Sequence, residues 1–127
     1  MTPTPSWSDP RGDARFEVAH SEGCVVVIAA GEIDLRSAPA LRAILEAATR
    51  ASQHLVIDLE SVTFIDSTGM GALVHARRLG CEWVALVNPA AMVRNVLRIT
   101  QLDRLFPVFE SRQDAIDNRP ESTLPSP

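Results

Sequence analysis

Three short apolar runs recur along the chain at nearly even intervals: Cys24-Val-Val-Val-Ile-Ala-Ala30, His54-Leu-Val-Ile-Asp-Leu59 and Cys81-Glu-Trp-Val-Ala-Leu-Val87. Runs of this length, rich in β-branched residues and without polar alternation, suit strands covered on both faces, as in a parallel sheet. Segments of helical period separate them. Ser37 can cap a helix with Pro39 in its first turn, and Leu41, Ile44, Leu45 and Ala48 follow at helical spacing. Met70, Leu73, Val74 and Arg77 mark a second helix face, with Gly80 suited to its C-terminal cap. Asn88-Pro89 reads as a helix start, and Val93, Val96 and Leu97 supply that helix's stripe. At the flanks, Phe16-Glu-Val-Ala-His20 alternates with period two, and Phe106-Pro-Val-Phe109 is a short strand in which Pro107 implies an edge or a strand start. Ser111 can cap a last helix through Ala115 and Ile116. The expected order is ββαβαβαβα. That is an α/β domain, with a mixed, mostly parallel sheet of four to five strands and packed helices.

Residues 1–14 are rich in Pro, Ser, Thr and Asp and read as a flexible N-terminal arm. Residues 118–127 read as a flexible tail, which leaves 15–117 as one domain. A net charge of −4, with both signs interspersed and no basic block, argues against nucleic acid as a direct partner. No apolar leader precedes the first strand and no run approaches membrane-spanning length, so the expectation is a cytoplasmic protein without membrane contact. Cys24 and Cys81 sit among apolar residues and read as reduced, buried thiols. There is no Cys-x-x-Cys and no Cys/His cluster, and His20, His54 and His75 are scattered, so no metal site is expected.

One stretch does not fit a purely structural pattern. Phe64-Ile-Asp-Ser-Thr-Gly-Met-Gly71 follows the second apolar run, whose strand is expected to end at Val56-Ile57-Asp58-Leu59, and opens a helix near Ser67. Function often sits at such a strand–helix corner in open α/β sheets. Asp66 is a good N-cap, a role that contributes about 1 kcal/mol and needs no further purpose. However, Gly69 and Gly71 each cost a helix about 0.5–1 kcal/mol relative to alanine, so stability alone does not select the sequence. The other reading is that the glycines clear the helix entry for a partner's backbone, leaving Ser67 within its reach. Met70 then serves as core or as an adaptable contact. Asp58, Glu60 and Asp66 give Ser67 acidic neighbours in sequence.

Catalytic readings are weaker. A nucleophile elbow needs glycine two residues before the serine, where Ile65 stands. His75 lies over two helical turns from Ser67, too far along the same helix to act as its base. No P-loop lysine follows the glycines.

The segment Val56-Ile-Asp-Leu-Glu-Ser-Val-Thr-Phe-Ile-Asp-Ser-Thr-Gly-Met-Gly-Ala-Leu73 closely resembles the signature of bacterial anti-sigma factor antagonists of the STAS domain family. Gly31-Glu-Ile-Asp34, Leu86-Val-Asn-Pro89, Val96-Leu97 and Leu102-Asp-Arg-Leu-Phe106 extend the resemblance over about residues 15 to 117. It implies that Ser67 is a phosphoacceptor and that Asp66 orients the site. By the same resemblance, Thr68 holds a second hydroxyl position, Gly69, Met70 and Gly71 form the partner-facing helix start, and Asp34 lies at the same end of the sheet as turn or contact residue. It further implies a domain that is not an enzyme and has no cofactor. Its expected partners are an anti-sigma factor that is also a serine kinase, supplying ATP and Mg²⁺, and a serine phosphatase. A STAS binding module without phosphorylation, in a lipid-transport or stress-sensing assembly, is the alternative. Gln101 departs from the pattern, since many relatives have glycine at the end of the third helix. A left-handed residue there would cost about 1 kcal/mol, so a different helix ending is expected.

Overall fold

The computed structural model describes residues 6–120. Its sheet has six strands in sequential order: β1 (Ser6–Ser8), β2 (Ala14–Ser21), β3 (Cys24–Ile33), β4 (His54–Ile65), β5 (Trp83–Val87) and β6 (Val108–Phe109). Pairs β1–β2 and β2–β3 are antiparallel, and β3–β4, β4–β5 and β5–β6 are parallel. The α/β class and the mixed, mostly parallel sheet agree with the sequence reading, with one strand more than expected.

Helices α1 (Ala38–Ala51), α2 (Ser67–Arg78) and α3 (Ala91–Ile99) are the crossovers between successive parallel strands. Right-handed crossovers that always advance in one direction must all lie on one face of the sheet. The main core forms there, from Val25, Val27, Leu55, Ile57 and Leu86 against Leu41, Leu45, Leu73, Val93 and Leu97. Helix α4 (Arg112–Asp117) follows the last strand, is free of this constraint, and covers the opposite face, where Ala115 and Ile116 meet Cys24, Val26, Val56 and Ala85. Strand β2 has only one covered face, so Phe16 and Val18 point inward while Arg15 and Glu17 face out.

Several local expectations need correction. Residues 6–14, read as flexible, form β1, a turn and the first residue of β2, because Trp7 stacks on Phe16 with ring centroids 5.2 Å apart. Such stacking contributes about 0.5–1.5 kcal/mol beyond burial. The turn closes through Gly12 N–H donating to Asp9 O at 2.8 Å. The expected arm at 1–5 and tail at 121–127 lie outside the described residues. Asn118 and Arg119, placed in the tail, close α4 instead: the Asn118 N–H bonds Asp114 O at 3.1 Å and Arg119 Nη1 bonds Ile116 O at 3.0 Å. Asn88 is not a cap but a left-handed residue (φ 51°), and α3 begins only at Ala91. Gln101 does take the left-handed conformation (φ 63°). The backbone cost of about 1 kcal/mol is offset because the turn returns Leu102 and the buried Phe106 to the core, and burying a large apolar side chain contributes about 1.5–3 kcal/mol.

Candidate functional site

Strand β4 does not stop at Leu59 as expected. It runs on to Ile65, paired with β3 up to Ile33–Ile65, with register shifts between Ile28 and Ala30 and between Gly31 and Glu32. Gly31 sits in that irregularity at φ +84°, and a Cβ there would come within 2.0 Å of Asp13 O, so the approach of β2 requires glycine. The extension carries the chain directly into the Asp-Ser-Thr-Gly corner without a loop. The Asp66 N–H still bonds Ile33 O at 3.1 Å, so the corner is fixed to the end of the sheet.

Asp66 is the N-cap of α2. Its backbone is extended, and its carboxylate accepts the Gly69 N–H at 3.0 Å. Ser67 is therefore the first helical residue. It is exposed, and no hydrogen bond to another described residue engages its hydroxyl. Thr68 and Met70 are half-buried, and Met70 packs against the main core.

The two glycines prove different in kind. Gly69 is buried: a Cβ there would meet Ile33 Cγ2 and Ile33 O at 2.7 Å and Ile65 Cγ1 at 2.8 Å. Its bareness lets α2 sit against β3 and β4, so the reading of Gly69 as a surface cleared for a partner is corrected. At Gly71 a Cβ would meet only Arg42 Nη2, at 3.4 Å.

Asp34 lies in the neighbouring β3–α1 corner. Its Oδ1 accepts the N–H groups of Arg36 at 3.0 Å and Ser37 at 3.2 Å. Desolvation works upward on this carboxyl. The N–H groups of Ser37 and Arg36, the Arg36 charge and the Ser37 hydroxyl outweigh it and hold the group below its ordinary range. Asp34 is thus a turn residue at the same sheet end as Ser67. Ser37 occupies the N-cap of α1 but does not cap with its side chain. Its hydroxyl donates to Glu32 O at 2.8 Å and accepts the Asp34 N–H at 3.0 Å.

Asp58 is not an acidic neighbour of Ser67. It is buried on the other face of the sheet, where Arg112 of α4 pairs with it and the Glu60 N–H bonds Oδ1 at 3.0 Å. His75 pairs with Glu46 at 2.9 Å, far from any role as a base for Ser67. Cys24 and Cys81 are free thiols, both pushed up in pKa by burial.

Sequence reasoning missed two apolar residues at this end of the sheet. Leu35, at the tip of the Asp34–Ser37 corner, is 72% exposed, and Phe64, next to the end of β4, is 41% exposed. The signal for Leu35 was an isolated leucine between Asp34 and Arg36 in a turn that needs none. Phe64 was hidden because the strand was ended six residues too early.

Among the described residues no group of His, Cys, Asp and Glu is arranged to hold a metal ion, and no helix is long and apolar enough to cross a membrane. The profile of the STAS domain matches residues 15–115. The anti-sigma-F factor antagonist RsfB of Mycobacterium tuberculosis is 33% identical over 102 residues, 78% of this chain and 84% of the relative. The crystal structure of an anti-sigma factor antagonist from Mycobacterium paratuberculosis superposes with a TM-score of 0.78 at 30% identity, covering 87% of this chain and 97% of that one. The Bacillus cell fate determinant SpoIIAA, solved in its phosphorylated form, shares the fold with a TM-score of 0.64 at 24% identity, over 80% and 96% of the two chains. A profile match across most of the sequence, together with a relative this similar over most of its length, places the chain in the STAS domain family.

Proposed function

We propose that this protein is an anti-sigma factor antagonist switched by phosphorylation at Ser67. The observation that carries the reading is the Ser67 hydroxyl. It stands exposed and unengaged on the first helical residue, while the Asp66 carboxylate before it is held by the Gly69 N–H. In the unphosphorylated state the domain docks on a kinase anti-sigma factor through this corner, Asp66, Thr68 and the entry of α2, with Leu35 and Phe64 as apolar rim. Docking displaces the sigma factor. The kinase then transfers the γ-phosphoryl group of ATP to Ser67 Oγ, the hydroxyl proton is released, and ADP leaves. A phosphatase hydrolyses the ester and restores the binding form. The domain acts as a binding protein and substrate, with no catalytic group of its own.

The physics of the switch is local. Phosphate adds about −1.5 to −2 charges. The entry of α2 has N–H groups and a positive partial charge that tolerate them, so the fold should persist. At a docked interface the same dianion must be desolvated in a space shaped for a hydroxyl, which is unfavourable sterically and electrostatically. A difference of about 3 kcal/mol lowers affinity over a hundredfold.

The test is incubation with histidine-kinase-like anti-sigma factors and ATP, read by intact mass and peptide mapping. One added phosphate on the peptide containing Ser67, absent from Ser67→Ala, is expected. Full phosphorylation of Ser67→Ala would overturn the assignment.

A further inference from the structure

We propose that Arg42 of α1 is the internal counter-charge for a phosphate on Ser67, an assignment that rests on the phosphorylation reading above and adds to it. Helices α1 and α2 connect successive parallel strands and run in the same direction, so their facing residues meet as rungs. Glu46 Oε1 and His75 Nε2, 2.9 Å apart, form one rung. Four residues earlier on each helix stand Arg42 and Gly71, and four residues before Gly71, on the same face of α2, stands Ser67.

The guanidinium lies over Gly71: a Cβ on that glycine would be 3.4 Å from Arg42 Nη2. Side chains on a helix lean toward its N-terminus, so Arg42 leans toward the level of Ser67. One helical turn, about 5.4 Å, separates the two rungs, a distance that an arginine swing and the added length of a phosphoserine close from both sides.

The cation is also unoccupied. Every Lys or Arg in this chain is arginine, twelve in all. Ten are exposed and two, Arg42 and Arg119, are half-buried. Arg119 donates to Ile116 O at 3.0 Å. Arg42 makes no ion pair or hydrogen bond with another described residue. Glu46, one turn further along α1, is engaged with His75. The planar fork of its guanidinium matches phosphate oxygens in a bidentate way. Gly71 keeps the space between the two groups open. Arg42 thereby holds the phosphate on the α1–α2 seam and favours its dianionic form at neutral pH, which keeps the released state fully charged.

The experiment is a ³¹P NMR titration of the protein phosphorylated at Ser67, from about pH 5 to 8, bracketing the second phosphate ionisation. The midpoint in the unsubstituted protein should lie below that of Arg42→Gln by about half a pH unit, as expected for one nearby cation in a solvent-exposed setting, and Arg42→Lys should fall between them. A second readout needs no substitution at Arg42: its Nε–H resonance should shift on phosphorylation and stay put when Ser67→Ala is treated in the same way. Equal midpoints with an unmoved Arg42 resonance overturn the Arg42 assignment and leave the phosphorylation reading intact. Absence of phosphate on the Ser67 peptide overturns both.

Discussion

Two corners lie side by side at one end of the sheet, and each brings an aspartate and a serine to the start of a helix. In the β3–α1 corner both the serine and the aspartate are engaged. Ser37 is 1% exposed, its hydroxyl bonds Glu32 O and the Asp34 N–H, and Asp34 holds two backbone N–H groups. In the β4–α2 corner the aspartate alone caps the helix, and the serine after it is left facing solvent. The serine of the first corner is structural because it precedes its helix and closes the turn. The serine of the second is available because Asp66 already does that work. A hydroxyl is free for chemistry where a neighbour has satisfied the backbone in its place.

The largest effect that can break this contrast concerns partner affinity. Phosphate on Ser67 should weaken binding to the cognate anti-sigma kinase by a hundredfold or more, about 3 kcal/mol, measured by calorimetry with both forms of the protein. Ser67→Asp should weaken it less, since one carboxylate carries fewer charges and acceptors than a phosphate. Equal affinity of the phosphorylated and free forms would remove the switch while leaving the fold untouched.

Next comes packing beneath the second corner. Gly69→Ala forces a methyl onto Ile33 and Ile65 and should lower stability by about 1–3 kcal/mol in urea denaturation. Gly71→Ala meets only the mobile end of Arg42, and should raise stability by up to about 1 kcal/mol through helix propensity. Equal effects at both glycines would mean that the helix entry is not seated on β3 and β4 as described.

The serines should then separate. Ser37→Ala removes a buried hydroxyl from the Glu32 carbonyl and Asp34 N–H, in part-buried hydrogen bonds, and should cost about 1–3 kcal/mol. Ser67→Ala, at an exposed position, should stay within about 0.5 kcal/mol of the unsubstituted protein while losing the phosphate.

The strands and helices were legible where a hydrophobic period ran unbroken. Val25 to Ala29, Leu55 to Leu59 and Val84 to Val87 carry the sheet, and Leu41, Leu45 and Leu73 seat the helices beneath it. Hidden were features that depend on contacts distant in sequence. β1 is held by Trp7 on Phe16, a pairing that a Pro- and Ser-rich composition conceals. The continuation of β4 through Glu60, Ser61 and Thr63 breaks the apolar run, because that part of the strand has an open face. In the site, Asp66 as cap and Ser67 as first helical residue follow from local rules. The burial of Gly69 and the seat of Arg42 do not, since each depends on another element: Ile33 of β3 in one case, α1 in the other.

The smallest expected effect tests Asp34 itself. Its folded-state pKa is lowered, so the unfolded chain binds more protons than the folded one as acid is added. The stability that Asp34 contributes is therefore complete above the unfolded value, near 3.9, and disappears as pH falls through the lower folded value. Asp34→Asn keeps the size but loses the charge that the Arg36 and Ser37 N–H groups favour. Its stability should match the unsubstituted protein most closely at the acid end and fall behind it above about pH 4. Because the group is open to solvent and screened by salt, the gap should narrow at high ionic strength. A gap that widened toward acid would mean that the carboxylate is strained by its corner, and the first corner would then be no more settled than the second.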